Sequence, residues 1–330
     1  MLAAVYDEVG PADVLRVEKI ARPEPGPGEV RVKIAVSGVN PTDYKNRSGL
    51  TGQPPDGLQI PHQDGTGVVD AVGEGVDPAR IGQRVWVYFA AFNRPWGTAA
   101  EWSVVPQERA VPLPDGVSDE LGAMLGIPAV TAHHCVFCDG PVKGRTILVA
   151  AGAGAVGHMA IELAVWGGAR VIATASGEEK SRLARAAGAD EVILYRESDA
   201  LERLRDAAPA GVDRVVEVAL DSNLELDLQA CAPGATIVTY ADSGGEPPRL
   251  PVRALMTANL SLRFVLVYTI PAAELRAAVA GVGAAIRDGA LTPLPVHRYG
   301  LERVAEAHRA VEAGVLGKVL VDIGAPSQPT

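Results

Sequence analysis

Through the first third of the chain, hydrophobic and polar positions alternate in short runs such as Val30–Val36, Gly67–Val72 and Arg84–Phe89, each broken by Pro or Gly. Alternation with closely spaced turn residues predicts an antiparallel, mainly-β barrel-like or sandwich domain. The Pro- and Gly-rich stretch Arg22–Gly28 is predicted as a turn, because proline fixes φ and lacks a donor. From about Met124 to Gly289 the pattern changes. Strand-like runs with apolar centres, Thr146–Ala151, Arg170–Thr174, Glu191–Leu194, Asp213–Val218 and Ala235–Tyr240, alternate with helical periodicity over Val156–Trp166, Glu178–Ala187 and Leu201–Ala208. That rhythm predicts βαβ units and a doubly wound α/β parallel sheet covered on both faces. Beyond it, Leu301–Glu312 is an amphipathic helix closed by Gly314, and Lys318–Ile323 is a strand expected to rejoin the first domain. The domains are therefore 1–123 completed by 290–330, and 124–289, with a loose end from Ala325 to Thr330.

The run Thr146–Gly157 carries the strongest chemical signal. Gly152, Gly154 and Gly157 form G-x-G-x-x-G directly after a strand and before a helix. Such a turn brings backbone close to a pyrophosphate and aims the N–H groups around Ala155, Val156 and Gly157 at it, so a dinucleotide is expected. The first glycine is read as permitting the tight turn. An NAD site usually places Asp or Glu at the end of the next strand, for the ribose 2′-OH. Here that strand ends Ala173-Thr-Ala-Ser-Gly177, followed by Lys180, with Tyr195-Arg196 closing the third strand. Ser176, Lys180 and Tyr195 suit a 2′-phosphate, so NADPH is favoured over NADH despite Glu178 and Glu179 close by.

Charge and cysteine count narrow the class. Thirty Lys and Arg against 40 Asp and Glu, a net charge of -10, give no electrostatic footprint for nucleic acid or an anionic membrane. No run approaches the roughly 18 apolar residues that span a bilayer, and the first residues lack a signal-peptide pattern. A cytoplasmic protein is expected. The three cysteines are too few for a disulfide scaffold in 330 residues. His133-His-Cys-Val-Phe-Cys138 falls on a helix after Thr131, where Cys135 and Cys138 are read as buried packing residues.

Several motifs together resemble those of the medium-chain dehydrogenase/reductases, specifically the zinc-independent quinone oxidoreductases related to zeta-crystallin. They are Gly38–Asp43 with Arg47–Gly49, Asp64–Val69, Ala71–Gly75 with Gly82–Val85, Gly126–Ala132, Gly152–Gly157 and Gly317–Leu320. The resemblance implies a GroES-like substrate domain, a Rossmann cofactor domain and an active site in the cleft. It also implies no metal. Where zinc-dependent relatives carry a Cys, a His and a second Cys, this chain has Asn40, Gln63 and a position close to Ile127, and no structural-zinc cysteines occur between Phe89 and Trp102.

Without zinc, an acceptor whose electrons can pass to a conjugated oxygen is favoured: a quinone or an α,β-unsaturated carbonyl. Asn40 is the expected hydrogen-bond donor to the acceptor or cofactor, and Thr42 stands where zinc enzymes carry a proton-relay hydroxyl. Tyr44 and Lys45 are possible proton donors, and Asp43 is read as structural. Better-known quinone reductases carry Tyr at the positions of Lys45 and, often, Thr51. Thr131, Tyr240, Ala241, Val265 and Lys318 are expected beside the cofactor. An enoyl-thioester reductase and a low-turnover NADPH-binding protein are the alternatives. The apolar run Leu260–Val267 is expected as a sheet edge that pairs two copies into a homodimer.

Overall fold

The computed structural model describes residues 1–51 and 54–324, so the expected loose end at 325–330 lies outside the described residues. The chain divides into Pro128–Thr292 and a unit made of Met1–Ile127 with Pro293 onward. The sequence pattern had placed these divisions at 123/124 and 289/290. Among the described residues no helix is long and apolar enough to cross a membrane.

In the central unit, six parallel strands lie in the order Glu191–Leu194, Arg170–Ala175, Thr146–Val149, Val212–Glu217, Cys231–Thr239 and Ser261–Phe264. The order reverses between Thr146–Val149 and Val212–Glu217, the switch point at which doubly wound sheets bind ligands beyond their strands' carboxyl ends. Leu148, Ile172, Ile193, Val215 and Ile237 bury one face of the sheet with Leu204, Leu220 and Leu224 from the helices. The edge strand is shorter than its apolar run suggested. Ser261–Phe264 pairs with Cys231–Thr239, but Val267–Thr269 is already a 3-10 turn, and the buried Val265 and Val267 belong to the chain's departure from the sheet.

The glycine-rich turn works differently from the expectation. None of its three glycines adopts a positive φ; the left-handed residue is Ala151, at φ 51°. Their value is missing volume. A Cβ on Gly152 would lie 2.9 Å from both Ala173 Cβ and Ile161 Cδ1, and one on Gly157 would lie 2.4 Å from the Ala151 carbonyl oxygen.

The other unit is built on a seven-stranded sheet. Its path runs Val296–Gly300, Lys318–Asp322, Glu29–Gly38, Asp64–Val72, Arg84–Val87 and Ala110–Pro112, with Trp102–Pro106 also paired to Glu29–Gly38. The tail does rejoin it: Leu320 pairs antiparallel with Gly38. Val30, Val32, Val85, Val87, Val105, Val319 and Val321 form its buried core. A short helix, Pro41–Arg47, starts at Asn40, where the Asn40 N–H donates to Asp43 Oδ2 at 2.7 Å. Asp43 is thus structural.

Candidate functional site

In the central unit, helix Ala155–Trp166 begins at Gly154, with no side chain capping its end. The first-turn N–H groups of Ala155, Val156 and Gly157 have no carbonyl a turn earlier to bond and carry the positive end of the helix dipole. Gly154 is exposed and Ala155 and Val156 half-buried, so an anion can reach them. The turn behind is fixed: Thr174 Oγ1 accepts from Ala151 N–H at 3.2 Å, and the Thr174 carbonyl accepts from Gly152 N–H at 3.0 Å.

Strand Arg170–Ala175 ends without a carboxylate. Ser176 follows, half-buried, and Tyr195 is tied to the same corner through its N–H to the Ala175 carbonyl at 3.2 Å. The Arg196 guanidinium lies 5.8 Å from the centre of the Tyr195 ring. Lys180 is exposed on the first turn of helix Glu178–Ala186, as are Glu178 and Glu179. Thr131 is buried on helix Val130–Phe137, its hydroxyl lacking a partner. An orphaned buried hydroxyl and an uncapped helix end are features a bound nucleotide would satisfy. Tyr240 is anchored by its N–H to the Glu217 carbonyl, and burial first, then Cys135 and Glu217, hold its phenol well above the ordinary range. The Ala241 carbonyl accepts from Thr239 Oγ1 at 2.9 Å. On helix Val130–Phe137, Cys135 is fully buried, and burial raises its thiol.

In the other unit, Asn40 is the centre of a buried polar cluster. Its Oδ1 accepts from Lys318 Nζ at 2.6 Å, and its Nδ2 donates to Asp64 Oδ2 at 2.6 Å. Asp64 Oδ1 accepts from the Ile127 N–H at 2.8 Å. Lys318, expected at the cofactor, instead spends its amine on Asn40 and is buried. Burial lowers the Lys318 amine against the pull of Asp64 and Asp43. Desolvation raises Asp64 to about 6, held back by Lys318 and the Asn40 amide, and raises Asp43 to about 8. Close approach of backbone makes the cluster possible. A Cβ on Gly126 would lie 2.1 Å from Asp64 Oδ1, and one on Gly38 2.2 Å from the Ala123 carbonyl. Thr42, Tyr44 and Lys45 sit half-buried on the helix that Asn40 begins. Gln63 is buried, with an Oε1 that has no partner.

Beside this cluster runs a chain of hydrogen bonds that no local sequence pattern encodes. His308 Nε2 meets His62 Nε2 at 3.0 Å, His62 Nδ1 meets Ser37 Oγ at 2.8 Å, and Ser37 Oγ meets Thr98 Oγ1 at 2.7 Å. The imidazole rings stack with centroids 5.1 Å apart. One ring donates and the other accepts, so the two cannot both be charged. Burial lowers His62 well below its ordinary range and His308 to about 3. The two imidazoles come from positions 246 residues apart in the chain. Among the described residues no group of three or more His, Cys, Asp or Glu side chains is placed to hold a metal ion.

Residues 26–115 match the alcohol dehydrogenase GroES-like domain family and residues 155–282 the zinc-binding dehydrogenase family. The chain is 33% identical over 266 residues to a quinone oxidoreductase of Pseudomonas aeruginosa, covering 79% of this chain and 78% of that protein. A solved NAD-dependent alcohol dehydrogenase superimposes with a TM-score of 0.88 at 31% identity, over 98% of this chain and 100% of that one. A mycobacterial protein solved in complex with NADPH gives 0.84 at 31% identity, again over 98% and 100%.

The buried imidazole pair makes a signed prediction. A histidine kept neutral in the fold but free to charge near 6.5 when unfolded stabilises the fold above that pH, and the contribution falls as pH drops toward the folded value. By pH 5 one such imidazole has lost about 2 kcal/mol. Urea unfolding of wild type and His308→Gln should therefore show a stability gap that narrows by about that amount between pH 7.5 and pH 5. A gap independent of pH would contradict the assignment of neutral His308.

Proposed function

Because this chain belongs to the zinc-independent quinone oxidoreductase branch of the medium-chain dehydrogenase/reductase superfamily and is an oxidoreductase, we propose that it passes a hydride from NADPH to a quinone or an α,β-unsaturated carbonyl. The observation that carries this reading is the uncapped start of helix Ala155–Trp166, together with a neighbouring strand end that holds Ser176 and Tyr195 and no carboxylate. NADPH, when bound, supplies a hydride from C4 of its nicotinamide.

The chain's own residues do the rest. Backbone N–H groups at Ala155, Val156 and Gly157 take the pyrophosphate. Ser176, Lys180 and Tyr195 take the 2′-phosphate, a group that a carboxylate there would repel. Thr131, Tyr240, Ala241 and Val265 flank the nicotinamide end, where the Thr131 hydroxyl gains the partner it lacks. Asn40 donates its remaining Nδ2–H to the acceptor oxygen, stabilising the negative charge that grows there as hydride arrives at the conjugated carbon. The proton that completes the reduction comes from the helix Asn40 begins, whose Thr42, Tyr44 and Lys45 carry exchangeable hydrogens. A second reading, NADH as the donor, is favoured by the NAD-dependent relative and by Glu178 and Glu179 at the same corner.

The protein acts as a homodimer in this reading, two copies pairing along Ser261–Phe264. The strand is a sheet edge, and Phe264 at its end and Leu266 just beyond it are 69% and 59% exposed. Light scattering at micromolar concentration should give twice the chain mass, and Phe264→Asp should give the monomer. A monomeric wild type would contradict the pairing.

Loss of cofactor absorbance against an ortho-quinone and a simple enone, with NADPH and NADH in parallel, tests the donor. NADPH should be oxidised at least about tenfold more efficiently, as loss of a charge-assisted contact implies. Lys180→Glu should erase most of that preference by raising KM for NADPH. Oxidation of NADH alone would select the second reading, and tight binding without oxidation of either would overturn the chemistry.

A further inference from the structure

Asn40 is held from both ends by opposite charges. The Lys318 ammonium donates to its oxygen and the Asp64 carboxylate accepts from its nitrogen, each at 2.6 Å. An asparagine amide turns easily about its last bond, since that torsion is broad and twofold. Here rotation by half a turn would set oxygen against carboxylate and N–H against ammonium, so only one orientation survives. The carboxylate is itself fixed, by the Ile127 N–H on its second oxygen. Lys318 is placed with equal care: its N–H donates to the Pro295 carbonyl at 2.8 Å, and Gly317 before it takes φ 105°, with a would-be Cβ 2.2 Å from that same oxygen.

Such an arrangement is costly for a purely structural contact. Lys318, Asp64 and Asn40 are 3%, 0% and 2% exposed, and a buried ion pair is often no more stabilising than apolar side chains of the same volume. What it supplies is direction. With one Nδ2–H given to Asp64, the amide keeps a single N–H of fixed heading, and the ammonium on its oxygen draws electron density from that N–H and strengthens it as a donor. Resting on the proposed role of Asn40 at the acceptor oxygen, we infer that Lys318 and Asp64 are positioning residues for hydride transfer, acting through the Asn40 amide.

A double-mutant cycle on kcat separates these roles. Lys318→Met and Asn40→Ala should each lower kcat with a conjugated acceptor by about 100-fold, the lower end of the range for a lost oxyanion donor. Affinity for NADPH, read by fluorescence titration without acceptor, should change by less than about twofold. The double variant should be no slower than the worse single one, because the lysine has nothing left to orient. Thermal midpoints of all three variants confirm that the comparison is between folded proteins, and Asp64→Asn supplies a second entry to the same cycle should Lys318→Met unfold. Multiplicative losses in the double variant, or weakened NADPH binding with kcat intact, would overturn the inference. An inactive wild type would instead overturn the proposed reaction, leaving NADPH affinity as the separate readout.

Discussion

Burying an ammonium with carboxyl groups costs several kcal/mol per ion unless each charge finds a close partner, and here those partners come from distant stretches of the chain. Lys318 from the tail, Asp64 from the start of a core strand and Asn40 from the head of a short helix meet out of water, with the Ile127 N–H closing the set. The meeting depends on the tail's return to the first unit, where Leu320 pairs with Gly38 and Val319 and Val321 enter the core. It also gives a physical role to three glycines that open sequence motifs. Gly126 leaves room for the Asp64 carboxylate, Gly38 for the Ala123 carbonyl and Gly317 for the Pro295 carbonyl. Any side chain at these points would push the buried charges apart.

The central unit solves the opposite problem. Its task is to keep backbone donors unspent, and it does so by removing side chains. Gly154 starts the helix without capping it, while Gly152 and Gly157 let strand and helix close to distances a methyl group could not tolerate. One unit thus offers open N–H groups to an anion. The other buries its charges around Asn40, a neutral amide whose heading they fix.

The sequence made the parallel sheet legible because buried strands are apolar throughout and the intervening helices have a different period. The phosphate-binding turn was legible because its glycines have fixed spacing. The role of its first glycine was not, since the positive φ fell on Ala151 and spacing says nothing about which residue bears the turn. The edge strand was overestimated because the same apolar residues that suit a strand also suit a chain turning inward, as Val265 and Val267 do. Least legible were the contacts that define the Asn40 region. Asn40 and Lys318 are 278 residues apart, and His62 and His308 are 246 apart. No local periodicity encodes such pairings. Gln63 drew notice only as a position of changed residue type, and its unpartnered oxygen emerges only from packing.

The central claim is that this chain moves a hydride from NADPH to a conjugated acceptor without a metal. It is tested most directly with NADPH deuterated at both C4 positions, a simple enone, and protein assayed before and after treatment with a chelator. The account predicts saturated product with one deuterium on the carbon β to the carbonyl, formed as fast after chelation as before it. Unlabelled product, or turnover that returns only when zinc is added, would contradict it.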